Sequence, residues 1–439
     1  MVSSLHATPP DVLLSSSLRA VPPEATLARA REKARALGIT RVTDITRLDR
    51  VGVPVYASVR PSAPYGSLCV NAGKGLHPIE AQVGAYMEAI EFALAEPGAS
   101  PRVRVERATA RDVLDGRRRP EAILDLCPKL GVQVRLDAPL DCVRADDVLS
   151  GERALVPAEL VFLPYRPSAR FRSLFGTSSN GLSSGNSVRE ATVHGVCELV
   201  ERDVRAFEAV RDTSAPVDLA TVDGPGRALV DTIRDAGLEL YVRTARNPFG
   251  LPYFFAVIHD PDACAPHLLN GGFGCHPHRS VAFVRAVSEA AQSRLSFIHG
   301  GRDDLVDHHA RFAGWTAARK RAFVEGVIAR AAEGHAVPMD WAHDASAEAT
   351  TVERCEALVL ERLRALGFDR VYRVVFTEAD EPLQVVRVIV PRIELFNESL
   401  ARVGPRLRDH ARAAAAARRE EGRPPRRRPR EGRTSRARA

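Results

Sequence analysis

Apolar and polar positions along this chain follow two periods, and together they mark out its elements. A short amphipathic run at 26–37, closed by Gly38, predicts a helix. VPVYASV at 53–59 alternates and carries β-branched residues, which predicts a strand. Asn71-Ala72-Gly73-Lys74-Gly75 reads as a glycine-bearing turn, and 78–96, with few breakers and a long apolar stripe, reads as a helix. The stretch 98–170 mixes short strands and turns. The small-residue run 178–187 reads as a loop feeding a helix at 188–210. Strands are predicted at 238–244 and 253–259, a loop at 271–279, and helices at 281–298, 316–333 and 350–366. Strands at 370–376 and 385–390 follow. No repeat of 20 to 50 residues is obvious, although helices carrying paired glutamates recur. Strands alternating with helices predict an α/β, mixed α+β protein.

The chain has 439 residues and is 45% hydrophobic, enough for a large buried core. No segment approaches the roughly 20 uncharged apolar residues that span a bilayer. Residues 1–23, rich in Ser and Pro, are expected to be disordered and carry no basic patch followed by a long apolar run. The expected location is therefore cytoplasmic, with no membrane partner. The formal charge of +7 is uneven: from Pro405 to Ala439 there are 13 arginines against four acids, a net +9, which leaves −2 for the rest. Residues 404–439 are therefore expected to form a basic disordered tail, and the near-neutral body gives little reason to expect nucleic acid. Seven scattered cysteines without a CxxC pair are expected to stay reduced. Cys275-His276-Pro277-His278 has metal-ligand residue types, but no second cluster at zinc spacing completes it.

Three predicted helices carry unusual polar residues. Glu88 and Glu91 lie one turn apart on one face among apolar neighbours. Two such carboxylates either raise each other's pKa or need a cation; solvated glutamates on an exposed edge are the plain alternative. In the 188–210 helix, Glu190, Glu198 and Glu201 share one broad face at about 100° per residue. Arg202 can pair with Glu198 one turn away. The loop before this helix, with Ser183 and Asn186, offers a helix N-terminus for phosphate, or an ordinary Ser/Asn cap. The third helix has Arg285, Glu289 and Gln292, which otherwise read as a surface salt-bridge ladder. Taken together these residues supply carboxylate oxygens for hard cations, a phosphate-receiving helix end and arginines for phosphate oxygens. No GxxxxGK[ST] motif and no kinase motif set is present.

At this point the residues resemble a known family. SNGLSSGNSVREATVHGVCELVERD (179–203) is similar to the central signature of the YcaO family. GKGLHPIEAQVGAYMEAIE (73–91) resembles its upstream GKG and ExxE helix, and RAVSEAAQSRLSFIHGGRDD (285–304) its downstream helix. GITRVTDITRLDRVGVPVYASVRP (38–61) and VVRVIVP (385–391) match its first and last strands. The resemblance covers residues 24–403, taken as one YcaO domain. It implies a composite fold with an ATP and magnesium cleft lined by glutamate-bearing helices. By resemblance, Glu88, Glu91, Glu198 and Glu201 surround the magnesium ions. Lys74, Ser183, Asn186, Glu190, Arg202, Arg285, Glu289 and Gln292 contact ATP or complete the metal shell. Phe92 departs from the family, where Arg often follows the second glutamate, and Arg392 stands where Gly often follows the proline.

The resemblance also implies a reaction. A nucleophile adds to a backbone amide carbon of a peptide or protein substrate, the oxyanion attacks the γ-phosphate of ATP, and phosphate leaves. A side-chain Cys, Ser or Thr gives an azoline, external sulfide a thioamide, an amine an amidine. Azoline-forming members often end in Pro-x-Pro-x-Pro, whereas Pro424-Pro425 and Pro429 do not fit that spacing. The 38–61 block and the GKGLHPIEA form look most like members encoded beside a TfuA partner, which favours thioamide formation. No fused leader-recognition domain is visible, so a separate TfuA-like or leader-recognition partner is expected, and members are often homodimers. A non-catalytic ATP-binding accessory protein is the alternative from another class; the full set of carboxylates argues against it.

Overall fold

A computed structural model of the chain describes residues 11–113, 120–167, 173–396 and 401–420. The chain opens with a hairpin, β1 (Val12–Leu13) and β2 (Leu18–Arg19), and helix α1 (Pro23–Ala36). Strands β3 (Arg41–Asp44), β4 (Val55–Val59) and β5 (Val70–Lys74) precede α2 (Pro78–Leu94). Then come β6 (Val105–Thr109), the short α3 (Ala110–Val113), β7 (Pro139–Asp147), β8 (Arg153–Pro157), β9 (Leu182–Gly185) and α4 (Val188–Val210). Strand β10 (Ala215–Pro216), α5 (Gly224–Asp235), β11 (Glu239–Thr244), β12 (Tyr253–His259) and β13 (Gly271–Cys275) lead into α6 (Arg279–His299). The chain continues through α7 (Val306–Ala313), α8 (Ala317–Ala332), α9 (Val352–Ala365), β14 (Tyr372–Val375), β15 (Gln384–Ile389) and α10 (Pro405–Glu420). No described helix is long and apolar enough to cross a membrane.

The larger sheets are antiparallel. Their orders are β3-β4-β5, β10-β11-β12-β13 and β6-β7-β14-β15-β9, with β8 beside β7. Each sheet ends on a strand, β5, β9 or β13, that turns within a few residues into α2, α4 or α6 and packs against it. The three strand–helix pairs are copies of one unit. Glu80, Glu88 and Glu91 on α2 recur at the same spacing as Glu190, Glu198 and Glu201 on α4, and as Val281, Glu289 and Gln292 on α6. The strand–helix contact recurs as well. A Cβ on Gly73 would lie 2.1 Å from the Ala81 carbonyl oxygen and from the Ala85 amide, and one on Gly274 would lie 2.0 Å from the Ala282 carbonyl oxygen. The backbones touch there, so glycine is required. Each helix turns its apolar face into a separate core: α2 through Ile90 and Leu94, α4 through Val196 and Leu199, α6 through Phe283 and Val287.

Three glycine-bearing runs expected as turn or loop (71–75, 178–187 and 271–279) therefore contain these edge strands. Glycine there serves close packing, where a turn was expected. The two chain ends differ from expectation as well. Residues 11–22, expected to be disordered, are held by buried carboxylates: Ser15 and Ser16 donate to Glu80, while Arg19 and the Ala20 amide donate to Glu190. Pro405–Glu420, expected within a disordered tail, forms α10, an alanine-rich helix anchored by Arg406 on Asp203. Residues 1–10 and 421–439 lie outside the described residues.

Candidate active site

A cavity of about 840 Å³ is lined by residues of β5, β9 and β13, a size suited to a cofactor or substrate. Helices α2, α4 and α6 turn equivalent positions toward it. Glu88, Glu198 and Glu289 line it, as do Glu91, Glu201 and Gln292 one turn on. One residue further, Phe92, Arg202 and Ser293 share a position, so Phe92 stands where α4 places an arginine. Lys74, Glu190 and Arg285 complete the expected residues on the wall.

Ser183 and Asn186 are not brought to the cavity wall. Side chains alternate along β9, so Leu182 and Ser184 face the cavity and Ser183 faces α4. The Ser183 hydroxyl, fully buried, donates to the Ala191 carbonyl at 2.8 Å, in space left by Gly195. Asn186 turns to its neighbours: Nδ2 donates to Glu190 at 3.2 Å, and Oδ1 accepts from Thr26 at 3.1 Å. Ser187 caps α4 by accepting from the Glu190 amide at 3.1 Å, the ordinary cap of the two readings of that loop. Two expected ion pairs are replaced. Arg202 pairs with Glu201 at 3.1 Å instead of Glu198, and Glu289 pairs with Lys74 at 2.7 Å instead of Arg285.

Much of the wall holds itself in place. The open edge of β5, buried in the cavity wall, is satisfied by the site: the Ala72 amide donates to Glu88 at 3.1 Å, and Gln292 donates to the Ala72 carbonyl. Ser184 donates to Glu91, and Arg19 pairs with Glu190 at 2.8 Å. Glu88, Glu91 and Glu198 form no ion pair among the described residues, and Glu198 accepts no hydrogen bond there. Toward one side the wall becomes aromatic, where Phe255 stacks on Phe273 at 5.0 Å and the Arg205 guanidinium lies 4.2 Å over Phe273.

Removal from water dominates the electrostatics. Burial pushes the Glu91 carboxyl up to about 8, with Glu88 and Glu198 adding to the rise and the Ser184 hydroxyl opposing it. Burial, with help from Glu289 and Glu198, pushes Glu201 up to about 7 against the pull of Arg202. Glu88 and Glu198 are raised by the same burial. Glu289 goes the other way: burial would raise it, but Lys74 and Arg202 outweigh burial. Burial would lower the Arg202 guanidinium, yet Glu201 and Glu198 hold it above its usual value. Burial, then Arg285, push the His194 imidazole well below its ordinary range.

These residues fit a magnesium nucleotide. Among the described residues no three His, Cys, Asp or Glu side chains stand close enough to hold a metal by themselves. Magnesium rarely asks for that; it takes one or two carboxylates together with phosphate oxygens and water. Unpaired carboxylates beside Lys74, Arg202, Arg285 and Arg302 are a donor set of that kind. Sequence reasoning missed Ser184, Arg19, His194 and Arg302 on this wall. Ser184 and His194 had a signal, being two residues from Leu182 in a strand and four from both Glu190 and Glu198 in a helix. Arg19 had none, since it belongs to a stretch whose order depends on distant glutamates.

Comparison with known proteins agrees with this geometry. Residues 72–394 match the family model described as YcaO cyclodehydratase, ATP- and Mg2+-binding. A Methanothermobacter thermautotrophicus protein is 34% identical over 89% of this chain and 98% of its own length. A Rhizobium leguminosarum protein, named for its place in the tfuA 3′ region, is 34% identical over 86% of this chain and 89% of its own. Among solved structures, YcaO from Methanopyrus kandleri bound with AMPPCP and Mg2+ superposes with a TM-score of 0.67 at 24% identity, over 90% of this chain and 97% of that one. On the family match over most of its length, the chain belongs to the ATP- and Mg2+-binding YcaO family.

Proposed function

We propose that this chain uses ATP and magnesium to activate backbone amides of a peptide or protein, and that its product is a thioamide. The carrying observation is that Glu88, Glu91 and Glu198 line one cavity and form no ion pair among the described residues, which leaves them available for a divalent ion. When bound, ATP supplies the phosphoryl group that turns an amide oxygen into a leaving group, and magnesium offsets its charge. The protein's part is positioning. Glu289 steadies Lys74, Glu201 steadies Arg202, and Gln292 fixes the β5 edge, so these groups would be held in place on the wall to receive the phosphates. Glu88, Glu91, Glu198 and Glu201 are the metal-facing set in this reading.

Thioamide formation draws on the 38–61 and GKGLHPIEA blocks and on the relative in the tfuA 3′ region; a TfuA-like protein would be the partner. The family description as a cyclodehydratase favours a second reading, an azoline made from Cys, Ser or Thr. A thermal-shift titration with Mg-ATP tests the site. At about 100 times its dissociation constant the nucleotide should add about 2.7 kcal/mol of stability. A magnesium-dependent shift that is lost in Glu201→Ala is expected; no shift in the wild type sinks the reading. Reconstitution with a TfuA-like protein, sulfide and a candidate peptide separates the products by mass. A thioamide exchanges oxygen for sulfur and gains mass, whereas an azoline loses water.

A further inference from the structure

Arg285 differs from Arg19, Lys74 and Arg202, the cavity cations that pair with glutamates. Glutamates line the walls around it, yet its guanidinium forms no ion pair among the described residues. Its hydrogen-bond partner is an imidazole: Nη2 stands 2.9 Å from His194 Nε2. The repeat explains the meeting, since His194 is four residues past Glu190 on α4 and Arg285 four past Val281 on α6. They occupy the same position in two copies of the unit and reach toward each other across the cavity.

The chemistry of the pair fixes a protonation state. A guanidinium only donates, so His194 Nε2 must offer its lone pair and the ring must be neutral, with its proton on Nδ1. That Nδ1 is buried and has no hydrogen-bond partner among the described residues. A buried unsatisfied donor carries a cost, which this pair bears. What the neutral imidazole does is hold Arg285 in place without cancelling its charge.

We propose that His194 is a positioning residue for an anionic ligand, the phosphates of the nucleotide, which it serves by orienting Arg285 and keeping it off the surrounding glutamates. This rests on the nucleotide reading above. It assigns His194 no contact with the reacting atoms.

Calorimetric titration of the full chain with Mg-AMPPCP tests it. His194→Leu removes the acceptor and should weaken binding about tenfold. His194→Gln keeps an oxygen near the Nε2 position and should stay within about threefold of the wild type. His194→Asn, polar but too short to reach Arg285, should behave like the leucine variant, and it serves if leucine prevents folding. The deciding measurement is the cycle with Arg285→Met, in which His194→Leu should add no further loss. Equal losses from Gln and Leu, or losses that add to that of Arg285→Met, would overturn the proposal and leave His194 a packing residue. Failure of the wild type to bind Mg-AMPPCP would overturn the nucleotide reading itself and this proposal with it.

Discussion

At the scale of single residues, the site is a set of acids held away from water. Burial pushes the Glu91 carboxyl up to about 8 and Glu201 up to about 7, both above the ordinary 4.5 that they regain on unfolding. Between those values the folded chain binds more protons than the unfolded one. Their contribution to stability is therefore fully present below about 4.5 and is lost as pH rises through 7 to 8. The nucleotide-free protein should melt at lower temperature as pH rises across that window, and Glu91→Gln should flatten part of the fall. A melting profile that rises across the window, or that Glu91→Gln leaves untouched, would contradict this. Saturating Mg-AMPPCP should restore stability at the alkaline end, because bound cations favour the ionised acids. The two neighbouring serines separate packing from site chemistry. Ser183→Ala loses a buried hydrogen bond to the Ala191 carbonyl and should cost about 1 kcal/mol in denaturant melts, with nucleotide affinity unchanged. Ser184→Ala removes the donor to Glu91, should raise that acid further, and should weaken Mg-AMPPCP binding in calorimetry.

At the scale of elements, helices were the most legible part of the sequence. The 188–210 helix and the 253–259 strand stand where periodicity put them, and the glutamate pairs identified the cavity-facing side of α2 and α4. The strands that carry these helices to the cavity were hidden because each is built from small residues, which locally signal a turn. Their small size answers the helix that follows, a contact that shows only once β5, β9 and β13 are laid on α2, α4 and α6. The polarity of Ser183 suggests a ligand, while period-two alternation turns its side chain toward α4. At the strand–helix contact the middle unit exchanges the small residues of the other two. It has Ser183 where they have Gly73 and Gly274, and Gly195 where they have Ala85 and Ala286. A Cβ on Gly195 would lie 2.7 Å from the Ser183 hydroxyl oxygen and 2.9 Å from Val388. Gly195→Ala should therefore cost about 1–3 kcal/mol as an overpacked core. Adding Ser183→Gly should return part of that loss and leave the share due to Val388. Denaturant melts of the four variants check this; simple additivity would mean that the two positions do not compensate each other.

At the scale of the whole molecule, α4 is where distant parts of the chain meet. Its first turn holds the N-terminal hairpin through Glu190, its middle lines the cavity, and its last turns hold α10. The latter attachment is built around Asp203, almost wholly buried, which accepts from Arg406 at 2.6 Å and from the Glu394 amide at 2.8 Å. The Arg406 guanidinium also donates to the Arg392 carbonyl at 2.8 Å and lies 5.0 Å over Phe207. Burial raises the Asp203 carboxyl, and Arg406 limits the rise. Arg406→Met keeps most of the stem and removes the charge, so it strands Asp203. Breaking a fully buried pair costs about 3–5 kcal/mol; Arg406 retains some solvent contact, so about 2–3 kcal/mol is expected here. The loss should shrink at acidic pH, where Asp203 can take up a proton and shed its stranded charge. Asp203→Asn in the same chain should recover much of it at neutral pH, because a neutral amide can still accept from the Glu394 amide. The cavity lies on the opposite face of α4, so Mg-AMPPCP should stabilise the folded Arg406→Met variant by the same increment as the wild type. A smaller increment would show instead that α10 sets the position of Glu198, Glu201 and Arg202, and that the C-terminal helix belongs to the site.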